Sequence, residues 1–335
     1  MLNRPVKLPW DEPGWHGQVA EWIADQLTAN GRNATGPVET VHQRIWSIFM
    51  RVPTDQGIVF FKAPAPPFYE APLTRALANW RPDCTVPLLG IDQNRGWLLS
   101  ADAGSTLRSN GQSPAQVEHW LKALPVYAGL QIEMAAHVDE LLIFGMPDRR
   151  LAVLPDLYSR LLDETSSLRI GLELGLTPEE YHALQNLRPR FAQLCVELDS
   201  IGLPATLTHE EIHENNVLFD GMRYIFTDWS DSSVAHPFFS MIVTLRAASH
   251  WLKLDECGPE MMHMRDAYLE PWKIFSNRDH LISAFNIACR LGMVNRALSW
   301  NEALRSLTEE QIEPYNDSVP GWLQDFLRAE MAQRK

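Results

Sequence analysis

The feature that most constrains the fold is a group of three strand-like runs between residues 38 and 62. These runs, "VETVHQR", "WSIFMRV" and "IVFFK", are rich in β-branched and aromatic residues, and polar or Pro/Gly-containing connections such as "PTDQG" separate them. Closely spaced strands of this kind are typical of an antiparallel meander. After them, "YEAPLTRALANW" has the apolar spacing of a helix, and "GWLLSAD" has the composition of another buried strand.

The remainder of the chain is predicted to be mainly helical. Helical periodicity covers residues from about Trp15 to Leu27, and beyond Gly104 the patterns are helical again, as are the segments after His236. We therefore predict an α+β fold with two lobes, a small β-rich N-terminal lobe at residues 1–104 and a larger helical lobe at residues 105–335. Ligands favour clefts between such parts.

Two helix starts are visible in the second part. Ser113-Pro114 is a favourable N-cap and first-turn pair, and it opens a segment that we expect to run to about Phe144, with Pro125 as a kink or break. Thr177-Pro178-Glu179-Glu180 has the pattern of a capping box, and its helix is predicted to end near Gly202.

Composition limits the classes of function. The net charge of −13, with scattered Lys and Arg, argues against a nucleic-acid backbone as principal partner. The same acidity would suit a cationic small molecule, and it would equally serve solubility alone. Four cysteines, far apart and without metal-ligand or disulfide spacing, favour a reducing compartment. The sequence shows no signal peptide and no apolar run long enough for a membrane helix, so we expect a soluble cytoplasmic protein.

One polar stretch, "LTHEEIHENNVLFDGMRYIFTDWSD", carries the candidate chemistry. Two short strand-like runs flank the turn-forming pair Asp220-Gly221, so a hairpin would bring Asn216 and Asp228 close together. An amide oxygen and a carboxylate can hold a hard cation such as Mg²⁺. Glu211 lies five residues before Asn216, close enough for a loop to bring a third polar group into the same space.

A carboxylate, an asparagine and a second carboxylate in this order suit phosphoryl transfer. The first carboxylate orients or deprotonates the acceptor, and the other two groups hold metal against nucleotide phosphates. The alternative is a polar loop and hairpin in which Asn and Asp serve turn formation only. On this stretch alone the two interpretations are about equally supported, because short motifs match by chance.

The segments "HEEIHENNVLF" and "YIFTDW" resemble the catalytic and metal-binding segments of the aminoglycoside phosphotransferase-like family, whose pattern is His-x-Asp-x-His-x-x-Asn, a hairpin, then Asp-Trp. The matching positions are His209, His213, Asn216, Asp228 and Trp229. Glu211 stands where the family has its catalytic aspartate. Glu210 with Asn215 has the same spacing, but only the Glu211 register also places His213 and the apolar pair after Asn216 correctly. "SSVAHPFFS" is similar to the run that follows the metal aspartate in one branch of the family.

The resemblance implies a protein-kinase-like fold, with ATP and Mg²⁺ as cofactors. It implies that Lys62, at the end of "IVFFK", places the phosphates and that Glu70 orients Lys62. The strand "GWLLSADAG" would then be the hinge, with backbone groups near Ser100 to Asp102 offered to adenine. No glycine-rich sequence lies around "HQRIW" to cover the phosphates.

The implied activity is transfer of phosphate to a hydroxyl of a small molecule such as an amino sugar, an amino alcohol or a related metabolite. Asn216 and Asp228 would bind Mg²⁺ and Glu211 would meet the acceptor, although its extra methylene shifts the carboxylate by about one bond length relative to aspartate. His209 and His213 are expected to be structural. Asp231 could touch the metal or cap the segment after it, and the cap is the favoured role. The acidic and aromatic segment "LDECGPEMMHMRDAYLEPW" is either an acceptor wall or a solvated face over a buried aromatic stripe.

Two other functions remain open from the sequence. A nucleotide-binding module of the same fold without catalysis would explain Glu211 and the missing glycine loop. A helical interaction protein without a nucleotide site would leave the ordered polar positions unexplained. The acceptor, the choice between ATP and GTP, and the oligomeric state are not determined by the sequence.

Overall fold

A computed structural model describes residues 8–113, 115–305 and 307–333. The strands are β1 (Glu39–Gln43), β2 (Ser47–Thr54), β3 (Gly57–Pro64), β4 (Leu88–Asp92), β5 (Trp97–Ala101), β6 (Ser105–Thr106), β7 (Asp148–Arg149), β8 (Thr206–His209), β9 (Val217–Phe219), β10 (Tyr224–Phe226) and β11 (Ser232–Ala235). The helices are α1 (Trp15–Ala29), α2 (Glu70–Trp80), α3 (Ala115–Met134), α4 (Val138–Ile143), α5 (Leu154–Asp163), α6 (Pro178–Asn186), α7 (Arg188–Asp199), α8 (Met241–Leu252), α9 (Pro259–Leu269), α10 (Arg278–Leu304), α11 (Glu309–Ile312) and α12 (Ser318–Ala332).

The N-terminal lobe is an antiparallel sheet of five strands in the order β1-β2-β3-β5-β4. One face of the sheet is apolar and packs against α1, whose buried residues recur at helical spacing: Trp15, Val19, Ile23 and Leu27. The opposite face carries Lys62, which pairs with Phe49 of β2 and Leu98 of β5. Side chains alternate along a strand, so burial of one face directs Lys62 towards the helical lobe.

The helical lobe has its own large core, built from α3 to α10 and α12. Two small sheets, β10-β9-β6 and β7-β11-β8, carry the polar stretch on its surface. Gly104 (φ +103°) sits between the lobes, and a Cβ there would lie 2.5 Å from the Phe219 carbonyl oxygen. Glycine at this position therefore lets the connection pass against the hairpin. The predicted α+β class with two unequal lobes is confirmed, whereas the exact boundary between residues 104 and 105 stays a prediction.

Several local predictions are confirmed and others are wrong. The meander, α1, α2, β5 and the capping box at Thr177 are present. Of the kink or break predicted at Pro125, the break is wrong and the kink stays a prediction: α3 continues to Met134, because residues on both sides of the proline are buried in the core and this packing outweighs the lost hydrogen bond. The helix from Thr177 stops at Asn186, and a new helix starts with Pro189 in its first turn.

Other differences have simple causes. Strand β4 was not predicted, because its residues are all half-buried and show no alternation. Of the predicted Ser113-Pro114 helix start, Pro114 lies outside the described residues. Across the described ranges, none of the helices combines the length and apolar character needed to cross a bilayer. The four cysteines are free thiols.

Candidate active site

A lysine held between two carboxylates occupies the cleft between the lobes. Lys62 Nζ lies 2.6 Å from Glu70 Oε1 and 2.6 Å from Asp228 Oδ1. Glu70 is buried at the first turn of α2, and its Oε1 also accepts the Trp229 backbone N–H at 3.0 Å. We call Lys62, Glu70 and Asp228 the Lys62 cluster. It joins β3, α2 and the polar stretch, and its members Lys62 and Asp228 are 166 residues apart in the sequence.

The electrostatics of this cluster favour the charged forms of Lys62 and Asp228, whereas burial raises the pKa of Glu70. Burial opposes the ammonium, but Asp228 and Glu70 raise the pKa of Lys62 above its usual range. Partial burial would raise the pKa of Asp228, yet the Lys62 ammonium lowers it well below its usual range. The Asp228 side chain is 46% exposed and its backbone is in the left-handed region (φ 63°), which is uncommon for a residue other than glycine. An accessible, permanently ionised carboxylate in a strained conformation is a common feature of ligand sites.

The loop between β8 and β9 is fixed by His209. Its Nε2 lies 2.9 Å from the Thr227 carbonyl and its Nδ1 accepts the Glu211 N–H at 3.1 Å, so Nε2 carries the proton. Burial lowers the pKa of His209 to about 4, which keeps the ring neutral. His213 makes a similar local bond, accepting the Asn215 N–H at 3.3 Å. Both rings bond loop groups, as a structural role requires.

Asn216 links the loop to the segment containing Asp228. Its Nδ2 donates to the Glu211 carbonyl at 2.9 Å, and its own carbonyl accepts the Thr227 N–H at 3.0 Å. Among the described residues, none donates a hydrogen bond to the Asn216 Oδ1 atom. The amide oxygen is thus available to a cation, immediately before β9, which pairs with the strand that leads to Asp228.

The Glu211 side chain meets a residue that the sequence analysis missed. Arg296 of α10 donates through Nη2 to Glu211 Oε1 and through Nη1 to Asp231 Oδ2, the latter at 3.2 Å. We call Glu211, Asp231 and Arg296 the Glu211 cluster. Burial raises the pKa of Glu211 to about 7, with Asp231 acting in the same direction and Arg296 opposing both. Asp231, expected to cap the next segment, instead binds Arg296.

Arg296 could have been suspected from its sequence context. It follows Asn295 in "LGMVNRALSW", a run that is otherwise apolar except for Ser299, and a buried guanidinium requires a counter-charge. The sequence could not identify that counter-charge, because Glu211 lies 85 residues away. Glu210, the rejected alternative to Glu211, is buried and bonds Arg149 at 3.0 Å.

The predicted hinge has few free backbone groups. The Ala101 N–H donates to Pro87 and the Asp102 N–H to Ile58, while the Asp102 carboxylate accepts the Gly104 N–H at 3.0 Å. The side chain of Ser100, two residues from Leu98 on β5, lies on the same face as Lys62. Among the described residues, the Ala103 N–H of this connection has no hydrogen-bond partner.

A pocket of about 480 Å³ opens beside both clusters, and we call it the interlobe pocket. Its walls include Trp46 from the β1–β2 turn and Trp300 from α10, whose rings meet edge to face at 6.3 Å. Two guanidinium groups, of Arg149 and Arg296, face a larger number of carboxylates in this lining: Glu210, Glu211, Asp228, Asp231 and Glu302. The pocket is therefore acidic and partly aromatic.

The segment at residues 254–272 does not contribute to this pocket. Tyr268 and Trp272 are fully buried in the core, and Asp266 pairs with Arg265 and Arg278. Of the two interpretations of this segment, the structure agrees with a solvated face over a buried aromatic stripe.

Comparison with known proteins gives similarity in structure only. No protein-family model and no curated protein matches the sequence. Among solved structures, a choline/ethanolamine kinase family protein from Mesorhizobium loti aligns at TM-score 0.61 and 14% identity, covering 94% of each chain. A choline kinase from Cryptosporidium parvum aligns at TM-score 0.59 and 12% identity, covering 93% of this chain and 95% of that one.

A third solved structure includes ligands. An amicoumacin kinase in complex with AMP-PNP, Ca²⁺ and amicoumacin aligns at TM-score 0.53 and 13% identity, covering 93% of this chain and 96% of that one. These alignments span both lobes, so the chain has the fold of these kinases, and the predicted protein-kinase-like fold is confirmed.

Proposed function

We propose that this chain is an ATP- and Mg²⁺-dependent phosphotransferase that adds phosphate to a hydroxyl of a small molecule. The observation that carries the proposal is the Lys62 cluster, in which a strand lysine, a helix glutamate and a loop aspartate meet at 2.6 Å distances beside the interlobe pocket. Phosphoryl transfer needs this set to place a triphosphate and its metal. The similarity in fold to kinases of small molecules supports the same conclusion.

The nucleotide would lie under the polar face of the N-terminal sheet. When nucleotide binds, the Lys62 ammonium would bind the phosphates in place of part of its interaction with Asp228. It would keep its bond with Glu70, which is the more deeply buried partner. Ser100 lies on that face and Asp102 holds the connection in which the Ala103 N–H has no described partner, so this N–H is the proposed adenine contact. No glycine loop covers the site, because β1 and β2 are joined by the two-residue turn Ile45-Trp46, closed by the Arg44 N–H on the Ser47 carbonyl at 2.8 Å.

The residues present fit a magnesium ion. Asp228 offers an exposed carboxylate of depressed pKa and Asn216 an amide oxygen without a described donor, both oxygen ligands that Mg²⁺ prefers. No three His, Cys, Asp or Glu side chains among the described residues form a complete metal cluster, so water and phosphate oxygens would supply the other ligands. When bound, the ion neutralises charge on the phosphates.

Glu211 is the proposed residue for the acceptor. The acceptor hydroxyl oxygen forms a bond to the γ-phosphorus as the bond to the bridging oxygen breaks, and ADP departs. Glu211 orients the hydroxyl and receives its proton, with its backbone fixed by His209 and Asn216. A loose transition state depends more on position than on basicity, so a glutamate in this place is chemically adequate.

The acceptor class is inferred from the pocket lining. Carboxylates outnumber guanidinium groups there, and Trp46 and Trp300 offer aromatic faces and edges. A cationic, hydroxyl-bearing small molecule such as an amino sugar or an amino alcohol suits such a lining, because an ammonium group gains from both carboxylates and aromatic rings. We propose a cytoplasmic location on the basis of the free cysteines.

One observation favours a second function. The Glu211 carboxylate is bonded to Arg296 instead of projecting freely into the pocket. A nucleotide-binding module without catalysis would have such an arrangement if the other carboxylate oxygen, Oε2, did not meet an acceptor.

The two functions are separated by measuring ATP consumption and ATP binding on the same protein. The acceptor panel should contain amino sugars and amino alcohols, each beside its analogue lacking the hydroxyl. A kinase gives hydroxyl-dependent ADP release that Asp228→Asn abolishes, whereas ATP-dependent thermal stabilisation with no turnover on any acceptor indicates the binding module. Turnover that survives Asp228→Asn would refute the proposed site.

A further inference from the structure

Arg296 is a buried cation in the middle of a long helix. Its relative exposure is 4%, and its helix, α10, is buried on nearly all sides around it, from Val294 to Ser299. Placing a guanidinium in such surroundings costs several kcal/mol unless charge and hydrogen bonds compensate. In this chain the compensation comes from Glu211 and Asp231, two acids of the polar stretch.

The Arg296 guanidinium is held in one orientation. Its two terminal nitrogens donate to different carboxylates, Nη2 to Glu211 and Nη1 to Asp231. Its Nε has no partner among the described residues, so the two carboxylates accept all the hydrogen bonds that the guanidinium makes there. The group also lies 5.4 Å from the centroid of the Trp300 ring, one turn further along α10. A planar guanidinium held by two carboxylates and an aromatic ring has little freedom to move, so it can fix the positions of the carboxylates that it binds.

The Glu211 carboxylate needs a partner to fix its position more than an aspartate carboxylate would. Its backbone is fixed at the N–H by His209 and at the carbonyl by Asn216. The side chain beyond it has one more rotatable bond than aspartate, and ordering each such bond costs free energy. The like charge of Asp231 would also push the Glu211 carboxylate away.

We propose that Arg296 is a positioning residue for phosphoryl transfer. It holds the Glu211 carboxylate beside Asp231, at the edge of the interlobe pocket, in the one geometry from which the longer side chain meets the acceptor hydroxyl. This inference rests on the proposed function and deepens it. It explains why a glutamate can occupy the position of an aspartate: the added methylene reaches a fixed guanidinium contributed by α10.

The test compares Arg296→Met with a matched control on the same helix. Arg290→Met breaks another buried ion pair of α10, with Glu330 at 2.7 Å, whose residues do not line the interlobe pocket. We expect Arg296→Met to lower kcat about 100-fold with KM for ATP within about twofold, because misplacement of the acceptor group by about 1 Å has that effect. Arg290→Met should lower thermal stability and leave kcat within about twofold.

Non-additivity separates positioning from general destabilisation. If Arg296 acts through Glu211, Arg296→Met should reduce kcat no further in a Glu211→Gln background. Arg296→Lys keeps the charge but not the two-donor fork, and it should recover part of the lost rate. This variant also serves if Arg296→Met does not fold.

The outcomes are distinct. A folded Arg296 variant with wild-type kcat, or losses that add fully to those of Glu211→Gln, would overturn the positioning role and leave the proposed function standing. Absence of hydroxyl-dependent ATP turnover in the wild-type protein would overturn the proposed function and this role together.

Discussion

The Lys62 cluster and the Glu211 cluster border the same cleft, and each contains one cation between two carboxylates. In the Lys62 cluster, Asp228 is 46% exposed, so an incoming phosphate or metal can replace part of the Lys62–Asp228 bond. In the Glu211 cluster the acids are nearly as exposed, Glu211 at 32% and Asp231 at 38%, but the cation is the planar guanidinium of Arg296, which donates to each acid through a separate nitrogen. The difference indicates that the first cluster exchanges partners with ligands, whereas the second holds a side chain still.

The largest predicted effect on the rate is at the Lys62 cluster. Asp228→Asn removes the charge that pairs with Lys62 and that would bind metal, so kcat should fall about 1000-fold or more. Steady-state ADP release measures the loss. Asp220→Asn is the matched control, because Asp220 is a turn aspartate bonded to Arg223 in the adjacent hairpin. Equal losses in the two variants would contradict a specific role for Asp228.

In the Glu211 cluster, the charge and the length of the Glu211 side chain should affect the rate separately. Glu211→Gln removes the proton acceptor and should lower kcat about 100-fold. Glu211→Asp keeps the charge but shortens the reach to Arg296, so a rate between those of Glu211→Gln and the wild type is expected. Single-turnover measurements separate chemistry from product release. A Glu211→Asp rate above wild type would show that Arg296 is not needed to place the carboxylate.

His209, in the loop between β8 and β9, should make the stability of the protein depend on pH. Burial lowers the pKa of His209 to about 4, against 6.5 for an ordinary histidine. Below pH 6.5 the unfolded chain binds a proton at this histidine that the folded chain does not bind until about pH 4, so His209 should contribute a fall of about 3 kcal/mol in the free energy of unfolding across this window. Denaturant unfolding at several pH values measures the slope. His209→Gln should reduce that slope, and His16→Gln, at an exposed histidine, is the control for loss of an imidazole.

The smallest predicted effect concerns the pocket wall shared by both clusters. Trp46 contacts Trp300 and Tyr315, with ring centroids 6.3 and 5.3 Å apart. Trp46→Ala should raise KM for the acceptor about tenfold, since one aromatic contact contributes about 1 kcal/mol or slightly more. KM for ATP should change less. Phe275→Ala, a partly exposed aromatic far from the pocket lining, is the control. An acceptor KM unaffected by Trp46→Ala would remove the N-terminal lobe from the acceptor site.

Sequence reasoning succeeded where a feature is local or where two features share one motif. The meander, α1, α2 and the hairpin that places Asn216 near the Asp228 segment all follow from short patterns. It failed where tertiary packing decides: α3 continues through Pro125 because the core surrounds it. For the same reason Arg296 was missed, since a counter-charge 85 residues away leaves no local pattern. The bond from Lys62 to Asp228 also spans a large separation; the family resemblance assigned both residues to one site, as phosphate and metal ligands, but did not pair them.

A structure of the protein with a non-hydrolysable ATP analogue and Mg²⁺ tests the central claim most directly. We predict the phosphates between Lys62 and Asp228, the metal on Asp228 and the Asn216 amide oxygen, and the terminal phosphate facing a Glu211 carboxylate still bonded to Arg296. A nucleotide bound elsewhere, or a Lys62–Asp228 pair left unchanged at saturating analogue, would contradict the account.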